Sequence, residues 1–238
     1  MIGSMSDSTH TESAPSPGFL DRLPLSALSS VNEERANTLT HAAASVGAAA
    51  AVAALIRLVV DDGVRHGLLG IAVFGFTLLN LYLVSTLYHH MGRTRIKRLF
   101  RLLDHLSILY LIAGSYTVVA LLFIEGPMRH VIIGWEWGLA LVGTLYKLFY
   151  LGRVRGLSIV LYLLMGWFAV FAWRQVVAVQ SGELGLWLLA GGIAYTAGLT
   201  FFGMKRLRYH HAIWHLFVMA GSVCHIIGIY RVTVALYG

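Results

Sequence analysis

Charged residues are scarce in this sequence, because only 12% of its 238 residues are Asp, Glu, Lys or Arg. A soluble domain carries about twice that share of charge. Hydrophobic residues make up 58% of the chain, and the mean hydropathy is +0.73. The apolar residues also run on without the polar face that a soluble amphipathic helix needs. The scarcity of charge therefore excludes an ordinary soluble domain and indicates a membrane protein.

Cysteine and proline are scarce too. The single cysteine, Cys224, excludes an intrachain disulfide and carries no information about redox compartment. Residues 1–30 are rich in Ser, Thr, Pro and Asp without periodicity, which predicts a disordered polar tail. This tail lacks the basic stretch and apolar core of a cleavable signal peptide. We therefore expect residues 31–238 to form the membrane domain, with its first span retained.

Seven segments have the roughly 20 mainly apolar residues that a membrane-spanning helix needs. The sequence therefore predicts an all-α fold, a seven-transmembrane helix bundle. The predicted spans are approximately 38–60, 67–90, 102–124, 130–151, 156–176, 184–204 and 209–234.

The connections between these spans differ in positive charge. With alternating spans, 13 of the 18 Lys and Arg residues lie on the side of the N-terminal tail and 5 on the other side. Since Lys and Arg accumulate in cytoplasmic loops, we expect a cytoplasmic N-terminus and a C-terminus outside. The net charge of +7 is then a topology signal that also contacts anionic lipid headgroups, and no nucleic-acid partner is expected.

Ionisable residues gather near the predicted cytoplasmic face. Such residues are costly in a membrane span and are functional candidates by default. Four predicted helix ends contribute to this group, at one depth in the membrane, as a single polar site between helices requires. The residues are His41, His89, His90, Asp104, His105, His210, His211 and His215.

Helical spacing selects a few members of this group. His211 and His215 are four residues apart, so their imidazoles project from one helix face, a common arrangement for two ligands of one metal. His225 continues that face roughly 15 Å deeper than His215. Ser85 and His89 have the same spacing. The alternative is that interfacial histidines only bind backbone carbonyls, and that Asp104 pairs with a nearby arginine.

A third pattern of this kind occurs at the first span, where Glu34, Asn37 and His41 are spaced three and four residues apart. A third imidazole from another helix would complete three protein ligands around a metal with one open position, as in catalytic zinc sites. Glu34, Asn37, His41 and His225 are expected to support the ligands or the fold.

Taken together and in order, these motifs resemble a known family. S-x-x-x-H, an Asp opening the next span and H-x-x-x-H opening the seventh span are similar to the progestin and adiponectin receptor superfamily. The segments STLYHHMGRTRIKRLFRLLDHLSILYLIAGSYT and HHAIWHLFVMAGSVCHIIGIY most resemble its bacterial branch, the hemolysin III family. With EERANTLTH at the first span, the resemblance covers roughly residues 31–235.

The resemblance implies a Zn²⁺ ion near the cytoplasmic face, bound by His89, His211 and His215, with Asp104 and Ser85 beside it. It also implies a multi-pass protein of the bacterial inner (plasma) membrane. A metalloprotease helix carries a glutamate base directly after its first histidine, but Ala212 has that place here. The base must come from another helix, and Asp104 is the candidate, with Ser85 orienting it.

Three functions fit these expectations. The first is a zinc-dependent, ceramidase-like hydrolase of a lipid amide or ester, with a membrane lipid as substrate reached from the bilayer. The second is a zinc-stabilised sensor or regulator of lipid homeostasis that does not catalyse a reaction. The third is a pore-forming cytolytic protein or transporter, which the small number of polar residues in the outer half disfavours. The sequence does not predict the substrate, the oligomeric state or any protein partner.

Overall fold

The computed structural model describes residues 30–61, 65–92, 94–150 and 156–237, together with Leu20, Leu23 and Gly63. Nearly all of the predicted tail, residues 1–30, lies outside the described residues. The part of the chain that is described contains helices and no strand, so the all-α prediction is confirmed. The α-helices are α1 Val31–Asp61, α2 Arg65–His90, α3 Arg95–Phe123, α4 Pro127–Tyr150, α5 Leu157–Gly166, α6 Trp173–Ala178, α7 Glu183–Gly203 and α8 His210–Tyr237.

Six helical segments are long and apolar enough to cross a membrane. Five of them coincide with predicted spans, and the sixth joins the two predicted spans 156–176 and 184–204. Together they make this chain an integral membrane protein with a helical bundle. The segments are Val31–Asp61, Gly67–His90, Arg95–Phe123, Pro127–Phe149, Leu157–Gly203 and His210–Tyr237.

The segment Leu157–Gly203 is interrupted and folds back on itself. Gln180, Ser181 and Gly182 have φ values of 44°, 51° and 93°, in the left-handed region that no regular helix uses. A Cβ on Gly185 would lie 3.1 Å from Val177, although eight residues of continuous helix would separate the two by about 12 Å. The helical arm that ends at Ala178 therefore reverses before α7 and packs against its first turn.

Helix α3 lies at the centre of the bundle and is its most buried long helix. It packs against α2 and α4, and α1 closes the other side by contacting α2 and α8. Two glycines permit the closest approaches. A Cβ on Gly114 would overlap Thr77 of α2, and one on Gly143 of α4 would lie 2.7 Å from Leu109. Small residues at such crossings let membrane helices pack at short distance.

The start of α1 is fixed to the start of α8, which positions the polar end of the bundle. Ser30 and Glu33 form a reciprocal cap, in which the Ser30 N–H donates to Glu33 Oε2 at 2.9 Å and the Glu33 N–H donates to Ser30 Oγ at 3.3 Å. The other Glu33 oxygen accepts from the Tyr209 N–H at 3.2 Å. At the neighbouring helix start, Thr94 caps α3 by accepting from the Lys97 N–H.

Candidate metal centre

Three histidines from two helices meet at this end of the bundle. His89 ends the last turn of α2, and His211 and His215 lie one turn apart at the start of α8. The ligand nitrogens that they offer all lie within 4.8 Å of one another. Their ring centroids are 5.0 Å apart for His89 and His211, 5.2 Å for His89 and His215, and 4.6 Å for His211 and His215. The histidines selected from the sequence by helical spacing therefore form one cluster in space.

The orientation of His89 is set by Glu34 of α1. A carboxylate oxygen can only accept, so His89 Nδ1–H donates to Glu34 Oε2, at 2.9 Å. Lys97 Nζ lies 3.6 Å from the same oxygen and donates to the Met91 carbonyl at 3.0 Å. His89 Nε2 then carries the lone pair, is buried, and has no hydrogen-bond partner among the described residues. A metal ligand held through its second nitrogen by a carboxylate has this arrangement.

Asn37 lies beside the same imidazole, with Nδ2 3.4 Å from His89 Nδ1. Its Oδ1 is buried, and nothing in the described chain donates a hydrogen bond to it. Because the two ends of an amide have the same shape, a half-turn of the Asn37 side chain would give His89 Nδ1–H a second acceptor. Asn37 therefore lies where a residue that supports the ligand is expected.

His215 is oriented by α1 as well. Thr40 Oγ1 lies 3.0 Å from His215 Nδ1 and also 2.9 Å from the Asn37 carbonyl oxygen. Because the hydroxyl hydrogen points to a backbone carbonyl, Thr40 Oγ1 accepts from His215 Nδ1–H. This leaves Nε2 of His215 as the nitrogen with a free lone pair. His41 is stacked on the His215 ring with centroids 3.5 Å apart. Both nitrogens of His41 are buried without a partner in the described residues.

Ser85 and Asp104 face each other across the contact between α2 and α3. Both are buried, and the Ser85 hydroxyl lies beside the Asp104 carboxyl without a hydrogen bond within 3.5 Å to any described residue. Three groups interact electrostatically with the Asp104 carboxyl, namely His89, Lys147 and Arg101. His105 Nδ1 is 3.7 Å from Asp104 Oδ2. Asp104 and Ser85, the predicted base and its predicted partner, therefore lie on the His89 side of the cluster.

The histidine cluster fits a bound metal ion. Three neutral imidazoles are a donor set that Zn²⁺ accepts, and the buried, unpartnered His89 Nε2 is accounted for if it binds a cation. In a tetrahedral site with bonds of about 2.0–2.1 Å the nitrogens are about 3.4 Å apart. Ligand atoms that already lie within 4.8 Å reach that separation by small side-chain rotations. Three protein ligands leave one coordination position for a water or a substrate.

An apolar cavity lies between the helices about one helical turn from Ser85 and Asp104. Its first lining residues on α2 and α3 are Leu81 and Ile108, each one helical turn from Ser85 and Asp104 respectively. Along α3 the lining runs from Ile108 to Ile124, which corresponds to about 24 Å. We call this space the acyl cavity, because an apolar lining of such length suits a hydrocarbon chain.

The acyl cavity reaches the outer surface of the bundle beside Trp167. This residue lines the cavity and is also 39% exposed. Its indole Nε1–H donates to Thr196 Oγ1 at 3.2 Å, which connects the end of α5 to α7. Both residues lie within predicted membrane-spanning segments, so we expect this side of the cavity to face the bilayer.

Two buried ionisable residues were missed by the sequence analysis. Glu136 is 0% exposed, and neither carboxyl oxygen has a hydrogen-bond partner in the described part of the chain. Lys147, counted as a cytoplasmic charge, is 1% exposed and donates to Ser158 Oγ at 2.9 Å. Both belong to one buried face of α4, with Ile132 and Ala140 between and beside them. The sequence signal for their burial is helical spacing, which places them on the same face of α4 as Ile132 and Ala140.

His225 lies away from the metal centre. It belongs to the same face of α8 as His215 but about 15 Å further along the helix. There it contacts the ring of Tyr195, with centroids 5.5 Å apart, and lines the acyl cavity. His90 is exposed at the end of α2 and is not part of the cluster.

The fold and the site define a helical integral membrane protein with a cluster of three histidines, between its helices, that can hold a metal ion. Residues 29–226 match the family described as Haemolysin-III related, and the chain belongs to this family. It is 37% identical to Hemolysin-3 of Bacillus cereus over 195 residues, which covers 81% of this chain and 88% of the relative. The Hemolysin-3 homolog of Bacillus subtilis (strain 168) is 36% identical over 195 residues, or 81% and 90% of the two chains.

A mammalian relative extends the comparison to the wider superfamily. The Homo sapiens protein named Monocyte to macrophage differentiation factor is 31% identical over 206 residues, which is 84% of either chain. The resemblance to the hemolysin III branch of the progestin and adiponectin receptor superfamily is therefore confirmed.

Proposed function

We propose that this protein is a zinc-dependent hydrolase of a membrane lipid amide or ester. The observation that carries the proposal is the position of Ser85 and Asp104 on the His89 side of the histidine cluster, each one helical turn from a residue that lines an apolar cavity running about 24 Å along α3. His89, His211 and His215 would hold the zinc ion. When bound, zinc polarises a substrate carbonyl and makes water a nucleophile at neutral pH.

The residues around the cluster have separate roles in this proposal. The acyl cavity binds the hydrocarbon chain and aligns the amide or ester carbonyl with the cluster. Asp104 is the proton acceptor for the attacking water, because its carboxyl group lies on the side of His89. Ser85 orients that carboxyl. Glu34 and Thr40 hold two of the ligands in the tautomer that presents Nε2.

The number of membrane spans and their orientation are part of this proposal. The reversal at Gln180–Gly182 supports a division of Leu157–Gly203 into two passes, and therefore a bundle of seven spans. The distribution of Lys and Arg supports a cytoplasmic N-terminus. The metal centre then lies near the cytoplasmic face of a bacterial inner membrane. A lipid enters beside Trp167 without leaving the bilayer.

The test compares purified wild-type protein with Asp104→Asn and with a control, Asp61→Asn. Asp61 lies at the opposite end of α1, where its 64% exposed carboxylate pairs with Arg57. Zinc content is measured first, and hydrolysis is then followed on a panel of ceramides, N-acyl ethanolamines and monoacylglycerols. We expect Asp104→Asn to retain zinc and lose hydrolysis by at least about 100-fold, since general bases contribute factors of that order. Asp61→Asn should behave as wild type.

A regulatory function without catalysis is the second candidate. The observation that favours it is that the three histidines join α2 to α8, helices far apart in the sequence, as a structural metal would. Zinc-loaded wild-type protein that hydrolyses no lipid of the panel, while a known zinc amidase does so under the same conditions, would reject the hydrolase and leave this function.

A further inference from the structure

One polar group in the wall of the acyl cavity differs from the others. Tyr195 Oη is 2.8 Å from Ser222 Oγ, and Thr196 Oγ1 donates to the Gly192 carbonyl at 2.7 Å. These hydroxyl groups are therefore satisfied by the protein. His225 also lines the cavity, but its Nδ1 is buried and has no hydrogen-bond partner within the described ranges.

The contacts of His225 define which kind of partner Nδ1 lacks. Nε2 lies 3.4 Å from the Leu188 carbonyl oxygen, which can only accept, so Nε2 carries the hydrogen. Nδ1 is then the unprotonated nitrogen of a neutral imidazole and can only accept a hydrogen bond. Any group that binds Nδ1 must therefore be a hydrogen-bond donor.

The packing against α7 fixes this orientation of the ring. Gly191 has no side chain, and a Cβ there would lie 2.5 Å from His225 Nε2. The imidazole edge with Nε2 therefore lies against the backbone of α7, near Leu188. The ring of Tyr195 packs against it at 5.5 Å. With this edge and this face occupied by protein, a turn of the ring that would exchange its two nitrogens is opposed by the packing.

The position of His225 along the cavity determines which part of a bound ligand must carry the hydrogen-bond donor. Ten residues separate it from His215, which corresponds to about 15 Å along α8. The cavity itself extends about 24 Å along α3. A chain whose carbonyl lies at the histidine cluster therefore passes His225 near its middle, far from the headgroup.

From these contacts we propose that His225 forms a binding subsite for a hydroxyl group near the middle of the lipid chain. The substrate class is then an amide or ester of a mid-chain hydroxylated fatty acid, whose O–H donates to His225 Nδ1. This subsite rests on the proposed function, because it takes the histidine cluster as the position of the carbonyl group.

The experiment measures binding of free fatty acids, without any hydrolysis. Full-length protein in lipid nanodiscs is loaded with radiolabelled oleate, and displacement by ricinoleate, by its O-methyl ether and by unlabelled oleate is compared. Ricinoleate is oleate with a mid-chain hydroxyl, and its methyl ether keeps the oxygen but cannot donate. A hydrogen bond to a buried acceptor that is otherwise unpaired predicts roughly tenfold tighter binding of ricinoleate than of the other two.

Two variants locate the effect. His225→Phe keeps a planar ring and removes the acceptor, so ricinoleate and oleate should bind to it equally. His130→Phe makes the same change at an exposed histidine of α4 and should keep the wild-type preference. The ligand comparison in wild-type protein stands even when His225→Phe does not fold.

The outcomes separate this subsite from the proposed function. Equal binding of oleate and ricinoleate to wild-type protein, or a preference that survives in His225→Phe, overturns the hydroxyl subsite and leaves the acyl cavity in place. Failure of every fatty acid to bind overturns the acyl cavity and the subsite together. A ricinoleate preference in a protein that hydrolyses no lipid supports the subsite and rejects only the hydrolase.

Discussion

Replacement of Glu34 by glutamine tests how the metal centre is built. Glu34 lies on α1 and accepts the Nδ1–H of His89 at 2.9 Å, with only 21% of its side chain exposed. Glutamine has nearly the same shape but no charge. The change therefore leaves His89, His211 and His215 in place and weakens the interaction that holds one of them.

The magnitude follows from that hydrogen bond. A bond to a charged acceptor contributes about 1.5–3 kcal/mol and a neutral one about 0.5–1.5 kcal/mol, so glutamine forfeits about 1.4 kcal/mol. This corresponds to about tenfold weaker zinc binding, within the range of about 10- to 100-fold measured for partners of metal-bound histidines. Lys97, at 3.6 Å from the carboxylate, adds little because the carboxylate remains partly solvated.

The assay is competition for zinc between the purified protein and a chromophoric chelator at fixed pH. Asp61→Asn is the matched control, because it removes one negative charge from the far end of the same helix, where the 64% exposed carboxylate pairs with Arg57 instead of a histidine. Its zinc affinity should change less than about twofold. The reasoning is refuted when Glu34→Gln binds zinc as tightly as wild type. It is equally refuted when Asp61→Asn is weakened to the same extent, since the effect is then one of net charge.

Three further results are expected in detergent. Zinc at 100 times its Kd should stabilise wild-type protein by about 2.7 kcal/mol in thermal unfolding and His211→Ala hardly at all; an equal shift would contradict the ligand assignment. Glu136→Leu should raise the unfolding midpoint by roughly 5 °C, as a buried carboxyl without a hydrogen-bond partner in the described chain is removed, and a lower midpoint would reveal a partner. Gly114→Ala should lower the free energy of unfolding by about 1–3 kcal/mol, because the added Cβ would overlap Thr77. Gly47→Ala, with open space around it, should be neutral or stabilising. Equal effects of the two substitutions would disprove the close contact.

The histidine cluster could be predicted from the sequence because its geometry is largely local. His211 and His215 share a helix face by spacing alone, and a span that ends at His89 brings a third imidazole to the same membrane depth. The stacking of His41 on His215 depends instead on how α1 packs against α8. The residue periodicity of a single helix does not predict that packing. His225 lies on the same face of α8 as His215 but outside the metal centre. Helical spacing predicts which way a side chain points, but not which space between the helices it reaches.

Buried charges show a second limit of sequence reasoning. Lys147 lies near the end of a span, where positive residues normally mark the cytoplasmic side, yet it is directed into the bundle toward Ser158. Glu136 is flanked by Trp135 and Trp137, a pattern that is typical of a membrane interface and does not predict a buried carboxyl. Glu136 and Lys147 lie on one helical face with the buried residues Ile132 and Ala140, so the sequence does contain the spacing of a buried face. Which face of α4 points inward is decided by its packing against α3.

The lateral wall of the acyl cavity, where Trp167 meets Thr196, has a kinetic consequence. A ligand that arrives from the bilayer is diluted by other lipids and not by water. Its occupancy is then set by its mole fraction in the membrane, and adding inert phospholipid at a constant bulk concentration of ligand should slow binding in proportion. Rates measured for this protein should therefore be expressed per surface concentration, with two-dimensional diffusion as their upper limit.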